Sequence, residues 1–136
     1  MSKRTRSIVA FASVLAVLAP LSITTSAAEL NCRVPFSFVV GNGNRMPAGL
    51  YTISTGHGYM MIQGQTGQSA IALAIIGSER GGGAARLVFQ KTGDRYDLSE
   101  VWSGDGGGLQ IPLAKRHRED RRASNVSAEQ IVIPAM

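Results

Sequence analysis

The residues of this chain that could do chemistry include the Glu100 carboxylate and two aromatic side chains in the segment Tyr96-Asp97-Leu98-Ser99-Glu100-Val101-Trp102. Side chains alternate between the two faces of a strand, so positions 96, 98, 100 and 102 are expected to share one face. Tyr96, Leu98 and Trp102 indicate that this face meets the core. Glu100 is therefore predicted to be at least partly buried, and a buried carboxylate needs a partner or shifts its pKa.

Two roles for Glu100 follow from this placement. In the structural role, the carboxylate is held by Arg86, Lys91 or backbone amides. In the catalytic role, Glu100 is the general acid or base of a small secreted hydrolase or isomerase, with Tyr96 and Trp102 lining an aromatic substrate site. A single carboxylate supports little acid–base chemistry, so the structural role is favoured.

The other reactive side chains do not complete a catalytic or metal-binding set. Asp97 is expected on the face opposite Glu100, and the two cannot act as a pair without a bulge. His57 lies between two glycines at a predicted turn, while His117 is far away in a basic segment. Two distant histidines and the single Cys32 do not make a zinc site or a nucleophilic triad. We therefore expect no catalytic residue, no metal and no cofactor.

A basic segment near the C-terminus is a candidate anion-binding site. Residues 115–122 contain two acids, Glu119 and Asp120, and five bases: Lys115, Arg116, Arg118, Arg121 and Arg122. This cluster could bind an anionic polymer or a membrane surface, but it has no apolar face with which to enter lipid. Residues 113–125 are predicted to form a short basic helix or a charged linker.

The first 28 residues have the pattern of a cleaved signal peptide. Three bases precede an apolar stretch, and small residues lead to Ala28, after which cleavage is expected. The apolar stretch is too short for a membrane-spanning helix, so no stable membrane insertion is expected after cleavage. The mature chain, residues 29–136, is predicted to be a single β domain that is secreted or periplasmic.

Removing that segment changes the charge of the chain. Residues 1–28 contain three of the 14 bases and none of the nine acids, so the net charge falls from +5 to +2. Much of the remaining excess lies in the basic segment, which argues against a nucleic-acid partner. With Cys32 as its only cysteine, the domain has no internal disulfide and must depend on packing.

Strand-like runs alternate with glycine-rich turns along the mature chain, and they predict a mainly β fold. Residues 32–40 are apolar on one face, although Pro35 indicates an edge strand or a strand start. Residues 69–76 are almost continuously apolar and predict a central strand buried on both faces. A hairpin is expected at Thr92-Gly93-Asp94, and a last strand at 129–133. We expect an antiparallel sandwich or small barrel of about six to seven strands.

Several short motifs resemble those of small secreted bacterial proteins of uncharacterised function. They are Val34-Pro35-Phe36-x-Phe38-x-Val40-Gly41, Pro47-Ala48-Gly49-x-Tyr51-x-Ile53, and Gly93-Asp94-Arg95-Tyr96-x-Leu98-Ser99-Glu100-Val101-Trp102. The resemblance covers most of residues 33–133. It implies export and a shared β fold, and it supplies no catalytic residue.

The leading hypothesis from the sequence is an exported, non-enzymatic β domain with a binding role or an envelope-associated structural role. Its partner would be a protein or another component of the envelope. The alternatives are the hydrolase or isomerase that uses Glu100 and the anion-binding surface at residues 115–122.

Overall fold

Strands follow one another along nearly the whole of the described chain, each ending near a glycine, a proline or a polar turn. The computed structural model describes residues 28–41, 43–78, 82–113, 119, 122 and 128–136. The strands in this part of the chain are β1 (Ala28–Val34), β2 (Phe38–Val40), β3 (Asn44–Met46), β4 (Gly49–Thr55), β5 (Tyr59–Gly64), β6 (Ser69–Leu73), β7 (Ile75–Ser78), β8 (Arg86–Thr92), β9 (Arg95–Trp102), β10 (Gly107–Gln110) and β11 (Glu129–Pro134).

These strands form two sheets that pack as a sandwich, which confirms the mainly β prediction. The first sheet has four antiparallel strands in the order β1-β4-β5-β6. The second has seven strands, with β11-β8-β9-β10-β7 in one continuous path and the β2–β3 hairpin attached to β9. The described residues form eleven strands rather than the expected six or seven. Short strands such as β3 and β7 are too brief to be identified from the pattern of apolar residues.

The two inner faces enclose one apolar core. Among its most completely buried side chains are Val34, Phe38, Ile53, Met60, Ile62, Leu87, Phe89 and Leu98. Three aromatic rings meet edge to face within it, since Phe38 lies 5.2 Å from Tyr51 and 5.3 Å from Phe89, measured between ring centroids. Such arrangements are preferred by aromatic pairs and fix the relative position of the sheets.

The segment that the sequence predicts as one strand from 32 to 40 is divided at Pro35. Strand β1 ends at Val34 and belongs to the first sheet, whereas β2 begins at Phe38 and belongs to the second. Proline has no N–H for a ladder hydrogen bond, so the chain leaves one sheet there and enters the other. The apolar side chains at 34, 38 and 40 are nevertheless all buried, as their alternation indicates.

Residues 69–76 contradict the expectation of a buried central strand. They are divided between β6, the last strand of the first sheet, and β7, the last strand of the second. Ala70 and Ala72 face the core, while Ile71 and Leu73 are exposed. An unbroken apolar run does not reveal whether a second layer covers its outer face, and here none of the described residues does so.

The predicted hairpin at residues 92–94 and the predicted last strand are both present. Strands β8 and β9 pair across Gly93, whose φ of 61° a residue with a Cβ seldom adopts. Strand β11 pairs antiparallel with β8. The basic helix or linker expected at 113–125 lies outside the described residues except at Leu113, Glu119 and Arg122, and the signal peptide lies outside them up to position 27.

Candidate functional site

The segment around Glu100 is turned by a β-bulge in strand β9. Phe89 of β8 pairs with Leu98, but the next residue, Val88, pairs with Glu100, so Ser99 is an extra residue. The Ser99 hydroxyl donates a hydrogen bond of 3.0 Å to the carbonyl of Val88 and holds the bulge. One extra residue moves every later side chain to the other face of the sheet.

The expectation that positions 96, 98, 100 and 102 share a core-facing side is therefore wrong. Leu98 lies in the core before the bulge, and Val101 lies in it afterwards. Glu100 and Trp102 are on the outer face of the second sheet, in register with Val88 and Arg86 of β8. The strict alternation that the sequence analysis assumes holds only up to the bulge.

Glu100 and Trp102 interact directly on this outer face. The indole Nε1–H of Trp102 donates a hydrogen bond of 2.8 Å to Oε2 of Glu100. The guanidinium carbon of Arg86 lies 5.3 Å from the centre of the Trp102 ring, within the range of a cation–π contact. Trp102 is buried and Glu100 is half-buried. Glu100 therefore supplies the acceptor for the indole N–H of Trp102, which would otherwise be buried without a hydrogen bond.

Two glycines, which have no side chain, leave room for the indole ring on the sheet. Gly108 of β10 is the direct cross-strand neighbour of Trp102, and Gly77 of β7 is the neighbour of Gly108. A Cβ on Gly108 would lie 2.6 Å from Cζ3 of Trp102, and one on Gly77 would lie 3.5 Å from Cη2. The ring thus lies across two strands and is closely packed against their backbone.

Tyr96 lies apart from this pair, before the bulge. Its ring is stacked on Phe36, with the centroids 3.9 Å apart and the planes inclined by 14°. The ammonium of Lys91 lies 5.8 Å from the centre of the Tyr96 ring. The structure therefore does not bring Tyr96 and Trp102 together into the aromatic site that the catalytic hypothesis requires.

The described residues around Glu100 offer no second acid–base group in contact with it. Asp97 is buried and accepts a hydrogen bond of 3.0 Å from Nε of Arg95. His57 is exposed in the turn between β4 and β5, in the first sheet. A small cavity of about 140 Å³ includes Asp94 but not Glu100; its walls are Ser37, Phe38, Val39, Arg45, Asp94, Arg95 and Tyr96.

Cys32 is buried in the core, as a small apolar residue of the first strand would be. Burial raises the pKa of its thiol from 9.0 to about 11. The same cause, together with the neighbouring Cys32, raises the pKa of Tyr51. A buried thiol with this raised pKa is a poor nucleophile at neutral pH.

No metal site or membrane-spanning helix is present in the part of the chain that the structure describes. No three of its His, Cys, Asp and Glu side chains are grouped so that they could hold an ion. None of its helical residues belongs to a helix of the length and hydropathy needed to cross a bilayer. Of the candidate anion-binding residues, Lys115, Arg116, Arg118 and Arg121 lie outside the described ranges, and the described Arg122 is exposed.

The most distinctive surface of the described residues is apolar and was missed by the sequence analysis. Seven large apolar side chains are exposed in all, and five of them lie together: Tyr59, Ile71, Leu73, Ile75 and Ile76. Tyr59 is the cross-strand partner of Leu73, which is 79% exposed. We call strands β6 and β7 with these side chains the apolar edge.

The apolar edge consists of the last strands of both sheets. Strand β6 pairs only with β5, and β7 pairs only with β10, among the described strands. Ala74 alone separates them, and its N–H donates to the carbonyl of Gly58 at 2.9 Å. One nearly continuous strand therefore runs along this side of the sandwich. No described strand pairs with the backbone N–H and C=O groups on its outer side.

Comparisons with known proteins add no assignment, since no family model, curated protein or solved structure matches this chain. The candidate sites are therefore judged on their geometry. The Glu100–Trp102 pair has the features of a structural cluster, whereas the apolar edge has those of a surface that meets another chain.

Proposed function

We propose that this chain is an exported, non-catalytic β domain that binds a polypeptide in extended conformation along the apolar edge. The observation that carries this proposal is the exposure of Leu73, Ile75 and Ile76 on strands that end both sheets: 79%, 61% and 65% of these side chains are open to solvent. Export rests on the signal-like residues 1–28.

Strand addition is the binding mode that suits this surface. An edge strand offers unpaired backbone donors and acceptors, which supply affinity to any extended segment, and its alternating side chains supply selectivity. Natural proteins protect such edges with charges, proline or bulges. Residues 69–78 contain no charged residue and no proline, so none of those side-chain protections is present.

A cluster of exposed apolar side chains also favours a partner. Single exposed apolar residues are ordinary, but contiguous ones with a polar surround are typical of interaction sites. On the outer face of the first sheet, Met61 and Ile71 are cross-strand neighbours, and polar Thr52, Gln63 and Ser69 form the adjoining row. The apolar area is therefore local and ends at this polar row.

The contacts of Glu100 support a non-catalytic role. Its carboxylate already accepts the Trp102 indole N–H, and no other titratable side chain in the described ranges forms a hydrogen bond or ion pair with it. A catalytic acid or base needs access to the proton that it transfers. The 140 Å³ cavity described above is lined in this part of the chain by residues 94–96, which precede the bulge, and Glu100 does not line it.

Binding of a synthetic strand tests the proposal. A fluorescently labelled peptide of alternating isoleucine and threonine, with lysine at both ends, is titrated with the protein expressed from its full-length sequence, and anisotropy is measured. We expect saturable binding that is weakened about tenfold or more in the variant Leu73→Gln/Ile75→Gln. The matched control Val132→Gln makes the same change at an exposed site on β11 and should bind as the unaltered protein does.

A second peptide shows whether the backbone edge is responsible. Replacing its threonines by proline removes the amides that a strand partner must donate, so this peptide should not bind. The proposal is wrong if the monomeric chain binds neither peptide, if it binds both equally, or if the two glutamines in β6–β7 leave binding unchanged.

A further inference from the structure

The apolar edge has the properties of a surface that pairs with itself. An antiparallel contact between two copies of one strand is isologous, so each copy supplies the same groups to the other. A charge near the two-fold axis would then lie beside its own image and oppose association. Residues 69–78 contain no charge, so two copies can meet there without repulsion between like side chains.

The accessible part of this edge begins at Leu73. Directly before it, at Ala72 of β6, the residue that follows β2 comes close, because a Cβ on Gly41 would lie 3.3 Å from the Cβ of Ala72. Beyond that point Ile75 and Ile76 are 61% and 65% exposed. A second chain can therefore approach most closely along residues 73–78.

Both faces of this stretch present apolar side chains. Ile76 is in register with Leu109, a core residue, whereas Ile75 is in register with Gln110 on the outer face. A partner strand that pairs with β7 would cover one isoleucine on each face. Burial of these two side chains and of Leu73 would favour association through the hydrophobic effect.

We infer that the polypeptide bound at the apolar edge is a second copy of this chain, joined by antiparallel pairing of residues 73–77 about a two-fold axis at Ile75. This inference rests on the proposed function, since it names the occupant of the same edge. The dimer would continue the β11-β8-β9-β10-β7 sheet into that of the second copy. It would also end the exposure of the unpaired edge, which an isolated chain carries as an aggregation hazard.

Charge variants test the self-pairing. Sedimentation equilibrium of the protein, expressed from its full-length sequence, should show a monomer–dimer equilibrium. Ile75→Lys and Ile75→Glu should each shift the protein to monomer, because Ile75 lies at the two-fold axis and each variant places like charges next to each other. An equimolar mixture of the two variants should restore a heterodimer. The control Val132→Lys adds the same charge on β11 and should dimerise as the unaltered chain does.

Hydrogen exchange locates the contact in the same samples. Amides within residues 73–78 should exchange more slowly as the protein concentration rises, and those of β11 should not. A dimer that is insensitive to both Ile75 variants, or one without this protection, would overturn the inference. So would an open-ended fibrous assembly, because it lacks a closed two-fold contact.

Failure of self-pairing can be distinguished from failure of the proposed function. If the chain remains monomeric at every concentration while the isoleucine–threonine peptide still binds in a Leu73- and Ile75-dependent way, the edge binds a different polypeptide and only the self-pairing is wrong. If the chain remains monomeric and the peptide does not bind either, both are wrong.

Discussion

The indole ring of Trp102 lies against the backbone of Gly108, its cross-strand neighbour, so closely that a Cβ on Gly108 would come within 2.7 Å of Cδ2 of the ring. The contact depends on glycine because only its Cα hydrogens fit between the ring and the sheet. It also places the chain's only tryptophan where its fluorescence reports on the packing of β9 against β10.

The variant Gly108→Ala is expected to displace the indole and lower the free energy of unfolding by about 1–3 kcal/mol, the usual cost of overpacking. Urea denaturation followed by far-UV circular dichroism measures this loss, and Trp102 emission should change in the native state. The control Gly49→Ala adds a methyl group at ordinary contact distance, 3.9 Å from Cε2 of Tyr51, and should have a smaller effect. Equal midpoints for the two variants would contradict the close contact.

Substitutions of Glu100 distinguish a structural carboxylate from a catalytic one. Glu100→Ala leaves the Trp102 indole N–H without its acceptor and should lower the free energy of unfolding by about 1–2 kcal/mol. Glu100→Gln keeps an acceptor oxygen, so its loss should be clearly smaller. Urea midpoints of both variants give the comparison, and equal losses would show that the hydrogen bond does not stabilise the fold.

The partly buried ion pair in β9 should matter more than the exposed one beside it. Arg95→Ala removes the partner of Asp97, whose side chain is 10% exposed, and is expected to cost about 1–3 kcal/mol in unfolding free energy. Lys91→Ala breaks a pair with Glu129 that is 4.0 Å long and exposed, and should cost less than about 1 kcal/mol. The reverse order in thermal or urea unfolding would contradict this assignment.

The thiol of Cys32 should make stability depend on alkaline pH. Its pKa is about 11 in the folded chain, against an ordinary value of 9.0, so the folded state favours the protonated thiol. This contribution to stability is complete below pH 9 and is lost as the pH rises towards 11, where the unfolded state gains from ionisation. Unfolding free energies measured from pH 8 to 11 should fall less steeply in Cys32→Ala. Parallel curves for the two proteins would refute the effect.

The same residue should resist thiol reagents while the chain is folded. A thiol that is buried and protonated at pH 8 reacts slowly with a disulfide reagent, and it reacts readily once denaturant exposes it. The rate of colour release from such a reagent, with and without urea, checks the expectation. A fast reaction of the native protein would mean that β1 opens easily.

The sequence predicts the fold well where local chemistry decides the structure. Gly93 produces the hairpin between β8 and β9 by its positive φ, as the sequence predicts. Alternation of apolar residues also identifies Val34, Phe38 and Val40 as core. These signals act within a few residues and are visible in one sequence.

The features that tertiary contacts decide could not be predicted in the same way. The bulge at Ser99 depends on a hydrogen bond to Val88, eleven residues away, and it reverses the faces of Glu100 and Trp102. Likewise, an apolar run such as residues 69–76 fits a central strand or an edge strand equally well. Which one forms depends on whether another strand pairs beside it, and no residue within the run carries that information.

The first described strand and the C-terminal residue of the chain lie together. Met136 donates its backbone N–H to the carbonyl of Asn31 at 2.7 Å, so β1 and the C-terminal residue meet on one side of the sandwich. Strands β1 and β11 are the first strands of their sheets in spatial order, and β6 and β7 are the last. A tether attached at Ala28 or Met136 would therefore hold the molecule by one flank and direct the opposite flank, with Leu73 and Ile75, away from the support.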